Sequence, residues 1–585
     1  MAHMSRKEFL TELRGLLRGL SREEVEERLL AWARGLRAEE RAVFLDRFRG
    51  PKRRRTKPSG KALLREVEAF EARMRAYEYT NGWGWDPEIR AERAWGDEGW
   101  AVEIDGFLDG ARQLYEAGAY ADARDVYAAV FRAYDGGLEE GLLAGADPEA
   151  LVEANLDEEC ARYLRCVYLA AEPSARPEEL MTAWDDPFVR YAAQNLRAML
   201  EVDDAELPGW EAFGRDWIAC LETMDRSAPV TEWIGEAVRL FRGSEGLEEL
   251  ARSRGRRHPS HFIEWVDALR AEGCTAEAVE AAVLALDTVP DGLAIRASLA
   301  ERLVVCARKA GKAAEVDRGL REALWAEPTL ARLVAFIERG DTFADRQERL
   351  ARAAERFAEL DRTVDQEAQA YDSEVRKGTM LDRLWPCVHL LAGDYEVLAR
   401  FARETEPRRP TRDPGLARMA TCFLLYACRG SATERLPENL GQEWTNAVQM
   451  TNAYWFDGRD PGCGLFEGEE GKDEPGLDVM ERFTRLVREA VAGADVSGSD
   501  LRRWFGSAEG AALKRVDTIV STKERGSYDR AARLLTAVAE VYWTWGEGDE
   551  GRRLLDRYWN KYSRFSAFRR ELRAAAGRSP PMALT

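Results

Sequence analysis

Residues Phe107–Tyr134 read FLDGARQLYEAGAYADARDVYAAVFRAY. Apolar residues recur there at intervals of three and four, the spacing of a helix with one buried face. Gly118 interrupts the run, and Tyr120, Ala123 and Tyr127 restart it, so the stretch predicts two amphipathic helices joined by a tight turn. Working outward, the same period dominates the chain. Phe9, Leu10, Leu13, Leu16, Leu17 and Leu20 form one helical stripe. Ser21 with Glu24 is a capping box before a second helix, and Arg37 to Phe48 predict a third. The expectation is an all-α protein of helical hairpins, with a three-helix head over residues 1–50.

Pro51 to Lys61 follows, with two Pro, one Gly and six cations, and reads as a basic linker. A helix is expected from Ala62 to Tyr77. Four Trp then occur within eighteen residues, at 83, 85, 95 and 100, punctuated by Gly. They suit either an aromatic platform for bases or the hydrophobic plug of an irregular loop. Residues 62–435 are expected to form the helical array, with loops at Glu172–Pro177 and Asp203–Trp210. Residues 436–475 break the period. They hold Trp444, Tyr454, Trp455, Phe456, Asp457, Asp460 and an acidic run from Glu467 to Glu474, and read as one long irregular insert. Residues 476–585 return to helix, ending in two helices around Gly546-Glu-Gly548, where aromatics alternate with cations.

The pair at 107–134 resembles a tetratricopeptide repeat, in which Gly closes the first helix and small Ala lets the second approach it. Three more segments keep the turn Gly and, seventeen residues later, a closing Pro: Gly273 with Ala278, Ala285 and Pro290; Gly311 with Ala323 and Pro328; Gly393 with Tyr395 and Pro410. In the first unit the closing position falls on Asp135. The turn glycines lie 155, 38 and 82 residues apart, close to four, one and two units of roughly forty. The resemblance implies a right-handed helical-hairpin array (an α-solenoid) whose concave face is lined by first helices. It names no ligand.

Charge is segregated along the chain. Of the net −19, residues 1–75 contribute +8 (20 cations, 12 anions), residues 500–585 contribute +6 (17 and 11), and residues 76–499 contribute −33 (49 and 82). An anionic partner would meet the ends; equally, the basic ends would fold onto the acidic body. No run of about 18 apolar residues spans a membrane, and Met1 to Leu10 lacks the apolar core of a signal peptide. A cytoplasmic location is therefore expected. The nine Cys include no C-x-x-C pair and read as buried thiols. His258 and His261, flanking Pro259, read as a loop entering a helix at Phe262. No metal site or cofactor is expected: phosphate-binding loops, a dinucleotide fingerprint and a nucleophile elbow are all missing from the sequence.

Two functions follow. The first is a nucleic-acid-directed protein, taking DNA or RNA. Arg53, Arg54, Arg55 and Lys57 of the linker, with Arg557, Lys561, Arg564 and Arg569 near the end, would grip phosphates. Trp83, Trp85, Tyr454 and Trp455 would stack on bases. Three loop sites place a carboxylate beside aromatics: Asp86, Asp185 and the pair Asp457 and Asp460. These parts are compatible with the helical-repeat DNA glycosylases, base-excising hydrolases that need a carboxylate for an oxocarbenium-like sugar. Each Asp also reads as a turn or N-cap residue, which Pro87, Pro187 and Pro461 support. The second function is a non-enzymatic scaffold whose groove binds a protein or peptide.

Overall fold

The computed structural model describes residues 59–80, 84–86, 91–93, 98–144, 150–192, 195–224, 228–367, 372–403, 415–429, 436–452, 465, 479–494 and 496–579. The expected head, and the linker residues Arg53, Arg54, Arg55 and Lys57, lie outside them, as does Pro410. Among the described residues the fold is all-α apart from one small ribbon. The helices are α1 (Gly60–Arg75), α2 (Gly99–Glu116), α3 (Tyr120–Glu139), α4 (Leu156–Ala170), α5 (Arg176–Trp184), α6 (Pro187–Ala192), α7 (Leu196–Glu201), α8 (Trp210–Thr223) and α9 (Ala228–Arg254). Then come α10 (Ser260–Ala271), α11 (Thr275–Thr288), α12 (Ile295–Lys309), α13 (Ala313–Ala326), α14 (Leu330–Glu338), α15 (Phe343–Glu367), α16 (Asp372–Ala392) and α17 (Tyr395–Arg403). The last are α18 (Leu416–Ala427), α19 (Glu438–Gln449), α20 (Val479–Gly493), α21 (Gly498–Ser521), α22 (Tyr528–Thr544), α23 (Gly548–Lys561) and α24 (Ser566–Arg578). Strands β1 (Gly84–Asp86) and β2 (Ala91–Arg93) pair antiparallel, with Trp85 opposite Glu92. The chain divides into two compact units at Gly243, where φ is +65° and α9 is interrupted.

Several boundaries differ from those read in the sequence. Gly60 and Lys61 belong to α1, so the helix begins inside the expected linker. The ribbon occupies part of the expected irregular Trp loop. The stretch Glu172–Pro177 is a 3-10 turn running directly into α5, because Pro177 suits the first turn of a helix. The insert expected over 436–475 opens with α19, whose buried Leu440, Trp444, Ala447 and Val448 keep helical spacing. The final stretch holds three helices, since Phe565 ends the turn after α23 and α24 starts at Ser566.

The turn glycines adopt the conformation the hairpin reading requires. Gly118, Gly273, Gly311 and Gly393 have φ between +67° and +79°, and Gly546 joins them at +77°. In each, the next residue's N–H returns to a carbonyl five residues back at 2.9 Å: Ala119 to Leu114, Cys274 to Leu269, Lys312 to Ala307, Asp394 to His389 and Glu547 to Tyr542. That bond satisfies a carbonyl which the helix end leaves open. The Ala expected to admit close packing, at 123, 278, 285 and 323, are fully buried. α11 and α13 end just before Pro290 and Pro328, whereas α3 runs through Asp135, which has no proline ring to stop it. Lys523 makes the same turn at φ +62° without being Gly. A Cβ on Gly311 meets nothing within 4 Å. Gly311→Ala is thus expected to lose about 1 kcal/mol from backbone strain alone, and Lys523→Gly to gain a similar amount. Urea unfolding of the two variants checks both signs.

In the unit ending at Gly243, α2, α3 and α4 pack together, and Trp184, Trp217 and Trp233 cluster with ring centroids 5.6 Å apart along the chain of contacts. Arg165, 1% exposed, donates to the carbonyls of Met199 and Asp203 at 2.7 and 2.9 Å and to that of Ala205 at 2.5 Å, tying the loop 203–209 to α4. In the unit from Ser244, hairpins α10–α11, α12–α13, α14–α15 and α16–α17 follow in sequence, and α20 packs on the first helices α14 and α16. α18, α19, α21, α22 and α24 form the rest of its core.

Carboxylates of neighbouring helices close helix starts in both units. Asp105 accepts the N–H groups of Glu153 and Ala154 at 3.0 and 2.9 Å, in the turn just before α4. Glu236 accepts those of Leu196 and Arg197, both at 3.0 Å. Glu540 accepts those of Asn439 and Leu440 at 3.2 and 2.6 Å, at the start of a helix preceded by Pro437, which has no side-chain acceptor. An anion suits the positive end of a helix dipole. Part of the acidic excess of the middle of the chain is used in this way.

Candidate functional site

In the Ser244–Thr585 unit the described residues enclose a cleft of about 490 Å³, within the usual range of ligand sites. It forms because the Gly311 turn swings α13 back along α12, while α14 and α20 close the far side. Val316 and Leu320 of α13 contribute its apolar floor, and Arg308, Arg339, Arg482 and Arg485 line it with Glu338 and Asp341. Four guanidinium groups face two carboxylates, a local excess of +2 inside a segment whose average is strongly negative. Glu338, the last residue of α14, accepts from Arg482 at 2.9 Å and also from Arg485. Arg308 donates to the carbonyl of Leu465, a buried residue from the stretch read as an insert. Arg339 is half-buried and pairs with no described residue.

α20 presents this edge because its other face is anchored. Phe483, Leu486, Val487 and Ala490 are buried. Phe483 lies parallel to Trp444, which itself stacks on Tyr426 at 3.9 Å. The Trp444 indole N–H donates to Thr484 at 3.0 Å, and Arg346 of α15 pairs with Glu489. One wall of the cleft is therefore a packed helix, whereas Gly311, Arg339 and Asp341 come from the turns beside it. Among the described residues the cleft lining contains no His and no Cys. What the arrangement does offer is recognition of carboxylate or phosphate by planar, permanently charged donors.

The residues singled out in the sequence are distributed otherwise. Tyr454, Trp455, Asp457, Asp460 and Trp83 lie outside the described residues, and Trp85 and Asp86 are placed by backbone in β1. Trp100 is a core residue whose indole N–H donates to the Ala144 carbonyl at 2.8 Å. Asp185 is exposed and ends α5; its neighbour Asp186 accepts the Phe188 N–H at 2.9 Å, the turn role weighed for such residues. Near the C-terminus, Lys561 donates to both oxygens of Asp517 at 2.7 and 2.8 Å. Arg502 pairs with Glu547, and Arg552, Arg553 and Arg570 pair with Asp549, Glu550 and Glu571. Arg569 and Arg573 lie over Trp559 at 3.9 and 4.8 Å. Arg557 and Arg564 are exposed and form no ion pair with a described residue.

His261 is buried, and burial followed by the nearby His258 and Arg254 pushes its pKa down to about 4, so it is a neutral core side chain. No group of three His, Cys, Asp or Glu able to hold a metal occurs among the described residues. Six of the eight described Cys are buried; Cys463 lies outside the described residues. No helix among the described residues is long and apolar enough to cross a membrane. The cleft arginines escaped sequence reading because they come from three places spread over 308–485: α12, the end of α14 and α20. No local run announces them, and the acidic average conceals them. The one local signal was Arg482 and Arg485, three apart on a strongly amphipathic helix. Compared with known proteins, the chain matches no family model and no curated sequence.

Proposed function

We propose that the chain is a non-enzymatic helical-hairpin scaffold that takes an acidic segment of a partner protein into the cleft between α12–α14 and α20. The observation that carries this reading is the excess of guanidinium groups over carboxylates in an open cleft with an apolar floor. A short acidic peptide feels mainly charges within a Debye length, about 8 Å in physiological salt. It would sense the +2 of the cleft, whereas a long polyanion would also meet the acidic body. Pairing of Lys561, Arg502, Arg552, Arg553 and Arg570 with the chain's own carboxylates further lowers the field available to DNA at the C-terminal end.

The nucleic-acid reading retains one supporting observation, the Arg569–Trp559–Arg573 stack with Arg557 and Arg564 nearby in sequence. Fluorescence anisotropy with a labelled glutamate-rich peptide and with labelled single- and double-stranded DNA separates the two. The expected result is saturable peptide binding that weakens about tenfold or more in the double variant Arg339→Gln/Arg485→Gln, in line with loss of two charge-assisted contacts. Tighter binding of DNA, with a steep salt dependence and no response to that double variant, would overturn the reading.

A further inference from the structure

A second cationic cluster lies where α18, α19, α21 and α22 meet, away from the cleft. Arg418 of α18, Arg515 of α21 and Arg530 of α22 converge on a small cavity of about 50 Å³, together with Ser527, Glu443 and Glu524. Glu443 is 1% exposed and its oxygens are already engaged. Oε1 accepts from Arg533 at 2.8 Å; Oε2 accepts from Arg418 at 3.2 Å and from the Cys422 thiol at 3.7 Å. Glu524 is exposed and accepts from the Thr522 hydroxyl at 3.0 Å. Arg530 donates to Ser527, and Arg515 has no hydrogen-bond or ion-pair partner among the described residues. The lining thus brings three guanidinium groups against two carboxylates, one of which is also held by Arg533 from outside the cavity.

Like charges do not gather without a counter-ion unless something else holds them there. Arg515 and Arg530 are both exposed on the open side of the cavity, yet the Arg515 pKa is pushed below the ordinary value, first by burial and then by Arg418, with Arg530 adding to the same effect. The N-terminus of α22, a helix of 17 residues, begins at Tyr528, directly after the cavity residue Ser527, and adds its own positive end. The volume is roughly three to five times what one water needs, enough for an ion of a few heavy atoms and too small for a nucleotide.

We propose that this cavity binds a single tetrahedral oxyanion, inorganic phosphate or sulfate, between Arg418, Arg515, Arg530 and the Ser527 hydroxyl. The bound ion would neutralise the cluster and tie α18, α21 and α22 together. Partners of this kind suit the planar donors of Arg, which bind two oxygens at once. The site is independent of the acidic-peptide cleft and stands whether or not that cleft binds a peptide.

Isothermal titration calorimetry of the full chain with low-millimolar sodium phosphate and sodium sulfate, at constant ionic strength and with chloride as the control salt, tests it. The expected result is one-to-one, saturable binding of phosphate or sulfate that weakens about tenfold or more in Arg515→Gln and recovers in part in Arg515→Lys. Arg339→Gln, in the other cleft, leaves it unchanged. Urea midpoints identify any variant that fails to fold, and Arg530→Gln then serves in place of Arg515→Gln. Absence of saturable binding, or binding indifferent to both variants, overturns the proposal. Equal affinity for a phosphoserine tripeptide overturns the assignment to a free ion.

Discussion

Glu159→Ala is expected to destabilise the unit ending at Gly243 by about 3–5 kcal/mol, the cost of leaving buried charges without their partner. Glu159 is 1% exposed. Its Oε1 accepts from Arg112 Nε at 3.0 Å and from Arg162 at 2.8 Å, and its Oε2 accepts the Tyr127 hydroxyl at 2.6 Å. One carboxylate thereby joins α2, α3 and α4. Burial, reinforced by Glu159 itself, pushes the Tyr127 pKa up, so the phenol stays a donor throughout the accessible range. Alanine would orphan that phenol and leave Arg112 and Arg162, one-third exposed or less, with only their more exposed partners Asp109 and Glu158. Glu159→Gln keeps the volume and one acceptor but removes the charge, and is expected to lose less. Thermal or urea unfolding of wild type and both variants gives the order directly; equal stability of wild type and Glu159→Ala would remove Glu159 from its place as the hub.

The second large effect is expected at Glu540, also 1% exposed. It accepts from the backbone of Asn439 and Leu440, from the Asn439 amide at 2.7 Å and from the Ser579 hydroxyl, binding α19 and the end of α24 to α22. Glu540→Ala is expected to cost about 3 kcal/mol, from several donors left unsatisfied at once. The pH dependence has a definite sign. Burial raises the Glu540 pKa above 4.5 and outweighs the hydrogen bonds that favour the carboxylate. A folded pKa above the unfolded one means that the folded state binds the proton more tightly. Its contribution is therefore full below about 4.5, the unfolded value, and fades as pH rises through the raised folded value. The unfolding free energy of wild type, measured relative to Glu540→Gln, should fall from mildly acidic to mildly alkaline pH. A rise in that difference would contradict the assignment.

Features set by neighbouring residues were legible in the sequence. A left-handed turn favours Gly, and the small Ala beside it reports close helix approach, so Gly118, Gly273, Gly311 and Gly393 could be placed from the sequence. Lys523 makes the same turn without a glycine and left no such mark. The aromatic stretch after Tyr79 gave no strand period, because β1 and β2 are only three residues each. α19 was hidden because Gly and acidic residues further along 436–475 diluted its helical spacing. Charge was the least legible property. Composition along the chain located the cations at the two ends, but a field depends on which carboxylates stand beside them in space. At the C-terminal end Asp517 and Glu547 take up Lys561 and Arg502. The cleft arginines come from elements far apart in sequence inside the segment that sums to −33, and the second cluster joins Arg418 of that segment to Arg515 and Arg530 of the C-terminal one.

The scaffold reading is tested most directly by amide hydrogen exchange on the full chain with and without a saturating glutamate-rich peptide. Slower exchange is predicted in the segments around Arg308 and Gly311, Glu338 to Asp341, and Arg482 to Arg485, with α23 and α24 unchanged. Protection confined to α23 and α24, or no protection anywhere when binding is saturated, would contradict it.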